Sequence, residues 1–259
     1  MRNLAWLSRL RYGFRRVYWH SASLGRRVEM LVYTPPGGSA QVHPRWPVLF
    51  LLHGSGHSPG TVYREAKPQA CVSELGGAIL VIPEGQQGWW LDSPVDGRSC
   101  YESYLLELVG FIDSQYPTEP SRESHAVCGF SMGGFGAMLL AARHPQLFGT
   151  ASSLLGPLDI RQWHPDYYRL QALLGPSMAV WEGHNPTSLC DSLRDTRLLF
   201  TTGSEAMDRS QNEAFAAALR AKCIAHEYRV FPGWHDTGWV REHLSYHFAF
   251  HGRCFRGTA

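Results

Sequence analysis

Residues 125–145 read HAVCGFSMGGFGAMLLAARHP and contain the pentapeptide Gly129-Phe-Ser-Met-Gly133. The apolar residues before this pentapeptide are typical of a buried strand, and those after it are typical of a helix that Pro145 ends. A serine on such a tight turn between strand and helix has a strained backbone that exposes its hydroxyl. Glycines are expected on both sides because a Cβ there would collide with a neighbouring element. The pattern predicts Ser131 as a hydrolase nucleophile, against the alternative of a glycine-rich turn with an idle serine.

Strand-like and helix-like segments alternate along most of the chain. An antiparallel pair is predicted over Arg15–His20 and Arg27–Thr34. The further predicted strands are Pro47–His53, Ala78–Pro83, Ser124–Gly129, Gly149–Leu154, Arg197–Thr202 and His226–Phe231. The predicted helices are Val62–Leu75, Tyr101–Gln115, Met132–Arg143, Ser210–Lys222 and Gly238–Phe250. This order predicts an α/β fold in which helices flank a mostly parallel central sheet and reactive groups follow the carboxyl ends of strands.

The length of 259 residues suits a single domain over 1–259. We interpret residues 1–14 as an N-terminal extension of that domain. Residues from about 156 to 196 fit the alternation poorly and are rich in Pro, Trp, Tyr and Gly. We therefore expect them to form a lid-like insertion over the site.

Composition excludes several functional classes. The formal net charge of +2 is too small to favour nucleic-acid binding, and the glycines at 133–136 lack a phosphate-binding arrangement, so no cofactor is expected. No apolar run approaches the ~20 residues of a membrane span, and no secretory signal is seen. The cysteines lack a C-x-x-C pair, which indicates reduced thiols and a cytoplasmic protein. They are Cys71, Cys100, Cys128, Cys190, Cys223 and Cys254.

A serine hydroxyl needs a base within hydrogen-bond reach. His235 is the best placed of the 13 histidines, because it lies on the predicted loop between the last strand and the last helix. Hydrolases with this serine turn use the chain order Ser, then Asp or Glu, then His. His235 is therefore the predicted base, with an ordinary loop histidine as the alternative.

The acid of the triad is expected after the strand at 197–202, where Glu205 and Asp208 are both available. Either carboxylate could hold the imidazole tautomer and stabilise the imidazolium. Asp208 is slightly favoured because its side chain is shorter and stiffer. Asp208 could instead cap the next helix in a capping box with Gln211, and Glu205 could simply be solvated.

Backbone amides are expected to hold the oxyanion. The amide of Met132 follows the nucleophile, and the glycine-rich turn His53-Gly-Ser-Gly-His57 follows a core strand. Ser55 is the predicted second donor, with Gly56 next. A metal site is not expected, because His53 and His57 lack a third ligand at suitable spacing.

Aromatic residues on predicted loops could line a substrate pocket, or they could simply pack. We expect substrate contacts from Trp89, Trp90 and Trp234. The other loop aromatics are Trp163, Tyr167, Tyr168 and Trp181.

Four motifs occur in order: His53-Gly-Ser-Gly, Pro83-Glu-Gly, Gly129-Phe-Ser-Met-Gly-Gly-Phe-Gly-Ala and Gly233-Trp-His. Over residues 17–250 the chain resembles the esterase D family of α/β-hydrolases. This family includes S-formylglutathione hydrolases, feruloyl and acetyl esterases, enterochelin-type esterases and the mycolyltransferase antigens. The resemblance implies an α/β-hydrolase fold, Ser131 as nucleophile, His235 as base and the amides of Ser55 and Met132 as the oxyanion hole. Many relatives carry aspartate at the position of Ala206, which leaves the acid open.

The expected activity is that of a serine carboxylic-ester hydrolase that forms an acyl-enzyme with a small acyl or aromatic ester. The same residues would serve an acyltransferase that uses an alcohol acceptor. A non-catalytic ligand-binding protein with a hydrolase fold is the third alternative, and Ala206 is its only support. Oligomeric state is open, with a homodimer contact through exposed aromatics as one option.

Overall fold

The computed structural model describes residues 7–36, 45–162 and 169–257. Within these ranges the chain forms a nine-stranded sheet. The strands are β1 (Leu7–Arg9), β2 (Phe14–Ser21), β3 (Arg26–Tyr33), β4 (Val48–Leu52), β5 (Ile79–Pro83), β6 (His125–Phe130), β7 (Thr150–Leu154), β8 (Arg197–Gly203) and β9 (Glu227–Phe231).

The strand order is β1-β2-β3-β5-β4-β6-β7-β8-β9. The pairs β1·β2, β2·β3 and β3·β5 are antiparallel, and every pair from β5·β4 to β8·β9 is parallel. The predicted α/β fold with a mostly parallel sheet is confirmed. The chain runs from β4 outward to β5 and then back past β4 to β6. The loops that follow β4 and β6 therefore lie side by side at the carboxyl edge, where α/β sheets bind ligands.

Seven α-helices lie in the described part of the chain. They are α1 (Pro59–Glu65), α2 (Tyr101–Gln115), α3 (Met132–Arg143), α4 (Leu170–Leu174), α5 (Met178–Gly183), α6 (Arg209–Ala221) and α7 (Thr237–Phe255). Four of the predicted helices match α2, α3, α6 and α7 closely. The helix predicted over 62–75 is wrong beyond Glu65, because Pro68 disfavours helical geometry at Lys67, which adopts a left-handed conformation.

Both faces of the sheet are covered, which explains the nearly continuous apolar strands. Val48, Phe50 and Leu52 of β4 belong to a core with residues of α2, α3 and α6. Leu49 and Leu51 point to the other face and belong to a core with residues of α1 and α7.

The segment predicted as an insertion contains α4 and α5 and buries Leu158, Leu170 and Trp181 against the α2 and α3 side of the core. Residues 163–168 lie outside the described ranges, and with them Trp163, Tyr167 and Tyr168. The role of this segment as a lid stays a prediction, as does the organisation of residues 1–259 as a single domain. At the N-terminus, β1 adds an edge strand within the segment predicted as an extension.

Candidate active site

Ser131 lies between the last residue of β6 and the first residue of α3, with φ of 55° and ψ of −123°. A positive φ is strained for a residue that carries a Cβ. The turn is tight because a Cβ on Gly129 would lie 2.2 Å from the carbonyl oxygen of Gly133, and one on Gly133 would lie 2.0 Å from that of Leu52. The two glycines thus allow β6, α3 and β4 to approach closely, as the sequence predicted.

His235 lies on the loop between β9 and α7, with its side chain 15% exposed. Its Nδ1 lies 2.7 Å from Oδ1 of Asp208, and its Nε2 lies 2.9 Å from Oγ of Ser131. A carboxylate only accepts hydrogen bonds, so Nδ1 carries the proton and Nε2 accepts one from the hydroxyl of Ser131. The next residue, Asp236, caps α7 by accepting a hydrogen bond from the amide of Trp239, which fixes where the loop enters the helix.

Asp208 is completely buried beneath His235. Its second carboxylate oxygen accepts hydrogen bonds from Oγ1 of Thr202, at 2.7 Å, and from Nδ2 of Asn212, at 2.9 Å. Both oxygens therefore have donors, as a buried carboxylate requires. The capping alternative is wrong, because Asp208 precedes α6 but its side chain makes no cap hydrogen bond to that helix.

Glu205 is the alternative acid that the structure does not bring to the imidazole. Its side chain is exposed, and its amide donates a hydrogen bond to the carbonyl of Gly233. Ala206 is nearly buried in the turn between Glu205 and Asp208. The carboxylate therefore reaches His235 from two residues after the position at which many relatives carry aspartate.

The peptide that joins Gly54 to Ser55 is oriented by two hydrogen bonds to its carbonyl oxygen. Its carbonyl oxygen accepts hydrogen bonds from Nδ1 of His53, at 2.8 Å, and from the amide of His57, at 3.2 Å. The N–H of a trans peptide points away from its carbonyl, so the amide of Ser55 faces away from both donors. Among the described residues no acceptor is found for this amide, nor for that of Met132 at the start of α3.

His53 is a buried histidine whose tautomer is set by its neighbours. The amide of Gly85 donates to its Nε2 at 2.8 Å, so Nδ1 carries the proton that is donated to Gly54. Burial lowers the pKa of His53 to about 4, which keeps the ring neutral. The ring thereby ties the turn after β4 to the turn after β5.

A cavity of about 130 Å³ opens beside Ser131 and His235. Phe130, Leu155 and Val240 form its apolar wall, and the other side is polar. The whole lining consists of Gly54, Ser55, His57, Phe130, Ser131, Leu155, His235, Asp236, Thr237 and Val240. The volume is well below the 300–1,000 Å³ that is usual for sites of drug-sized ligands.

The family model Esterase ("Putative esterase") matches residues 21–251. The chain belongs to this esterase family. The predicted resemblance to esterase D-like proteins is thus confirmed.

Two relatives share about a quarter of their aligned residues with this chain. Esterase Rv1288 of Mycobacterium tuberculosis is 26% identical over 221 residues, which cover 73% of this chain and 48% of the relative. The S-formylglutathione hydrolase of Paracoccus denitrificans is 25% identical over 275 residues, with 92% and 93% of the two chains covered. The chain spans about half the length of the former relative.

Solved structures share the fold of this esterase family member. The fluorophosphonate-binding serine hydrolase FphF of Staphylococcus aureus superposes with a TM-score of 0.83 at 19% identity, over 92% of this chain and 98% of that chain. An S-formylglutathione hydrolase from Agrobacterium tumefaciens also gives a TM-score of 0.83, at 22% identity, over 96% and 98%. The α/β-hydrolase fold predicted from the motifs is confirmed.

Two of the three tryptophans predicted to contact substrate do not reach the cavity. Trp89 and Trp90 are 1% and 0% exposed. Trp89 packs edge-on against Phe135, and Trp90 donates from Nε1 to the carbonyl of His53 at 3.2 Å. They support α3 and the loop after β4, so the prediction of substrate contact is corrected for both. Trp234 is 66% exposed beside His235, and its contact with substrate stays a prediction.

Sequence reasoning missed two groups at this site. His57 lines the cavity, with its Nε2 3.3 Å from Oγ1 of Thr237 and 3.5 Å from Oε2 of Glu65. Thr202 and Asn212 hold Asp208, and Asn212 also donates to the carbonyl of Gly156. A polar residue four positions after the acid, on the inner face of an amphipathic helix, is a signal that could have identified Asn212.

Within the described ranges, no group of three or more His, Cys, Asp or Glu side chains could hold a metal ion. The same ranges contain no helix that is both long and apolar enough to cross a membrane.

Proposed function

We propose that the protein is a serine carboxylic-ester hydrolase that acts through an acyl-enzyme. The observation that carries this proposal is the continuous hydrogen-bonded chain from Ser131 through His235 to buried Asp208, next to a cavity and two amides that have no acceptor among the described residues. Family membership supports the same reaction class. A non-catalytic role has lost its support, because Asp208 supplies the carboxylate that Ala206 cannot.

In the proposed mechanism, Oγ of Ser131 attacks the ester carbonyl while Nε2 of His235 takes its proton. The carboxylate of Asp208 keeps the other ring nitrogen protonated and stabilises the imidazolium. The amides of Ser55 and Met132 donate to the oxygen of the tetrahedral intermediate. The imidazolium then protonates the departing alcohol, and water repeats the sequence to release the acid.

We propose a short acyl group for the substrate. A cavity of about 130 Å³ is small beside the 300–1,000 Å³ that is usual for ligand sites, so it suits a short acyl group better than a long one. Several relatives are named S-formylglutathione hydrolase, and the one-carbon acyl group in that name agrees with this size. Trp234 would then contact the part of the substrate that stays outside the cavity.

A cytoplasmic location is also proposed. All six cysteines are free thiols, which suits a reducing compartment. Titration of thiols in protein freshly prepared without reductant should find all six, and recovery of a disulfide-linked form would contradict this part of the proposal.

The test of the main proposal is Ser131→Ala with 4-nitrophenyl acetate as substrate. We expect kcat to fall by roughly 10⁵-fold, since the nucleophile of a triad acts as a unit with its base. Ser192→Ala is the matched control, because Ser192 is exposed and distant in sequence from the site. A fluorophosphonate probe should label the wild type and the control but not Ser131→Ala.

Wild-type turnover by Ser131→Ala, with the fold confirmed by circular dichroism, would refute the proposed function. Product analysis with added alcohols would separate hydrolysis from acyl transfer, because only a transferase would form a new ester.

A further inference from the structure

The small cavity beside Ser131 cannot hold a whole substrate of ordinary size. With a volume of about 130 Å³ it suits the acyl side of an ester, and the leaving group must then lie elsewhere. Any specificity for the leaving group has to come from surfaces that adjoin Ser55 and Ser131 outside this cavity.

A second, larger cavity of about 360 Å³ has in its wall Gln87, a hydrogen-bond partner of Ser55. The connection is a single hydrogen bond, because Oγ of Ser55 donates to Oε1 of Gln87 at 2.5 Å, and Gln87 lines the larger cavity. Ser55 therefore lines the small cavity, and its side chain is bonded to the wall of the second cavity. Since the carbonyl oxygen of Gln87 is occupied, its amide hydrogens remain available to a ligand.

The charges that line the larger cavity are mostly positive. Arg26, Arg98 and Arg169 face it, against Asp96 as its acidic lining residue. The three guanidinium groups differ in how far they are already paired.

Arg26 is held at the wall by Glu84, at 3.0 Å, and by the hydroxyl of Tyr101, at 3.4 Å. Arg98 is largely exposed and makes only a long contact of 3.7 Å with Asp96. Arg169 has no ion pair within the part of the chain that the structure describes. Among the described residues, Arg169 and Arg98 are thus the least paired guanidinium groups of this lining.

We propose that this cavity, defined by Gln87, Arg98 and Arg169, receives a carboxylate carried by the leaving group of the ester. The proposal rests on the function proposed above. It narrows the substrate class to esters whose alcohol or phenol leaving group carries a carboxylate. Guanidinium groups suit this ligand because they donate two parallel hydrogen bonds to a carboxylate. The carboxylate takes no part in bond breaking, so the effect falls on substrate binding.

The experiment compares two acetyl esters of equal size, 3-acetoxybenzoate and 3-acetoxybenzamide, which differ in leaving-group charge. We expect Arg169→Gln to raise KM for the benzoate about fivefold, and the double variant with Arg98→Gln about tenfold, as exposed charge pairs of up to about 1 kcal/mol each allow. KM for the benzamide and kcat for both esters should change by less than about twofold. Arg169→Lys should keep part of the preference for the benzoate over the benzamide, because lysine keeps the positive charge.

Arg220→Gln on α6 is the matched control, since it removes the same charge from an exposed position away from the cavity. A KM change for the benzoate as large as that of Arg169→Gln would overturn the proposal in favour of a general field effect. Equal effects of Arg169→Gln on the two esters would overturn it as well.

A binding measurement separates this proposal from the proposed function. Calorimetry with 3-hydroxybenzoate and inactive Ser131→Ala should show binding that weakens in the Arg98→Gln and Arg169→Gln background. If Ser131→Ala hydrolyses both esters at wild-type rates, the proposed function fails. If Ser131→Ala is inactive but the wild type binds benzoate and benzamide products equally, only the subsite fails.

Discussion

At the scale of single residues, the choice between two carboxylates defines the site. Glu205 and Asp208 are three positions apart, yet one is exposed and the other completely buried. Asp208 receives donors from Thr202 and Asn212 on one oxygen and from His235 on the other. That full set of partners makes burial of the charge tolerable and aims the imidazole at Ser131.

Substitution of the two carboxylates by their amides tests this assignment. Asp208→Asn should lower kcat by roughly 10³–10⁴-fold, because the amide no longer enforces the tautomer that accepts the proton of Ser131. Glu205→Gln, the matched control, should leave kcat within about twofold of the wild type. The measurement is steady-state hydrolysis of 4-nitrophenyl acetate, and a larger loss in Glu205→Gln than in Asp208→Asn would reverse the assignment.

Other single-residue expectations divide by whether they depend on local geometry. The strained conformation of Ser131 was predictable because Gly129 and Gly133 lie close to it in the sequence. Glycines at these positions indicate a turn so tight that a Cβ would collide with a neighbouring element. The burial of Trp89 and Trp90 was not predictable, because the local sequence of a loop does not show whether its tryptophan lines a pocket or packs behind one. Their packing against Phe135 and His53 depends on residues more than 30 positions away along the chain.

At the scale of elements, α7 combines two functions. Its N-terminus follows His235, and its later turns pack on the sheet through a buried polar seam. His251 contacts Oγ1 of Thr150, at 2.5 Å, and Oγ of Ser152, at 2.7 Å, while His247 contacts Oγ1 of Thr201 at 2.9 Å. Histidines four positions apart share one face of a helix, but this spacing alone does not show that the face meets hydroxyl groups of β7 and β8.

This seam predicts sensitivity to acid. Burial lowers the pKa of His251 to about 3 in the folded protein, and it lowers that of His247 well below 6.5. The unfolded chain binds these protons near its ordinary pKa of about 6.5, so the free energy of unfolding should fall as pH drops from about 6.5 towards 3.

Urea denaturation of the wild type and His251→Gln checks this expectation. The wild type should lose up to about 1.4 kcal/mol more per pH unit than the variant between pH 6 and 4, because one proton-uptake step is removed. The variant should be less stable at pH 7, where it lacks the contacts with Thr150 and Ser152, and the difference should shrink in acid. Parallel pH profiles of the two proteins would contradict the argument.

At the scale of the whole molecule, the sheet brings together loops from distant parts of the sequence. The turn after β4, the turn after β6, the acid after β8 and the histidine after β9 meet at one edge. This convergence follows from parallel strands, whose carboxyl ends all lie on the same side. A small cavity with one apolar and one polar side opens at the meeting point, and a larger, mostly basic cavity contains Gln87, the hydrogen-bond partner of Ser55.

The size of the smaller cavity predicts acyl-chain selectivity. Among 4-nitrophenyl esters, kcat/KM should be highest for acetyl to butyryl chains and should drop for hexanoyl and octanoyl chains, by at least about tenfold per pair of unaccommodated methylenes. Val240→Ala removes two methyl groups from the apolar wall and so enlarges the cavity. It should shift the acyl-chain length with the highest kcat/KM towards longer chains. A flat profile, or an optimum unmoved by Val240→Ala, would show that the acyl group does not occupy this cavity.

The amino-acid sequence by itself determined the alternation of strands and helices, the turn that carries Ser131 and the loop that carries His235. Those features follow from local patterns of hydrophobicity, glycine and proline, which act over a few residues. Only the tertiary structure decided that Asp208 rather than Glu205 meets the imidazole, that Trp89 and Trp90 are buried, and that the cavity beside Ser131 is small. Each of these depends on the direction in which a side chain leaves its turn and on what distant segments pack against it, and neither is encoded in spacing along the chain.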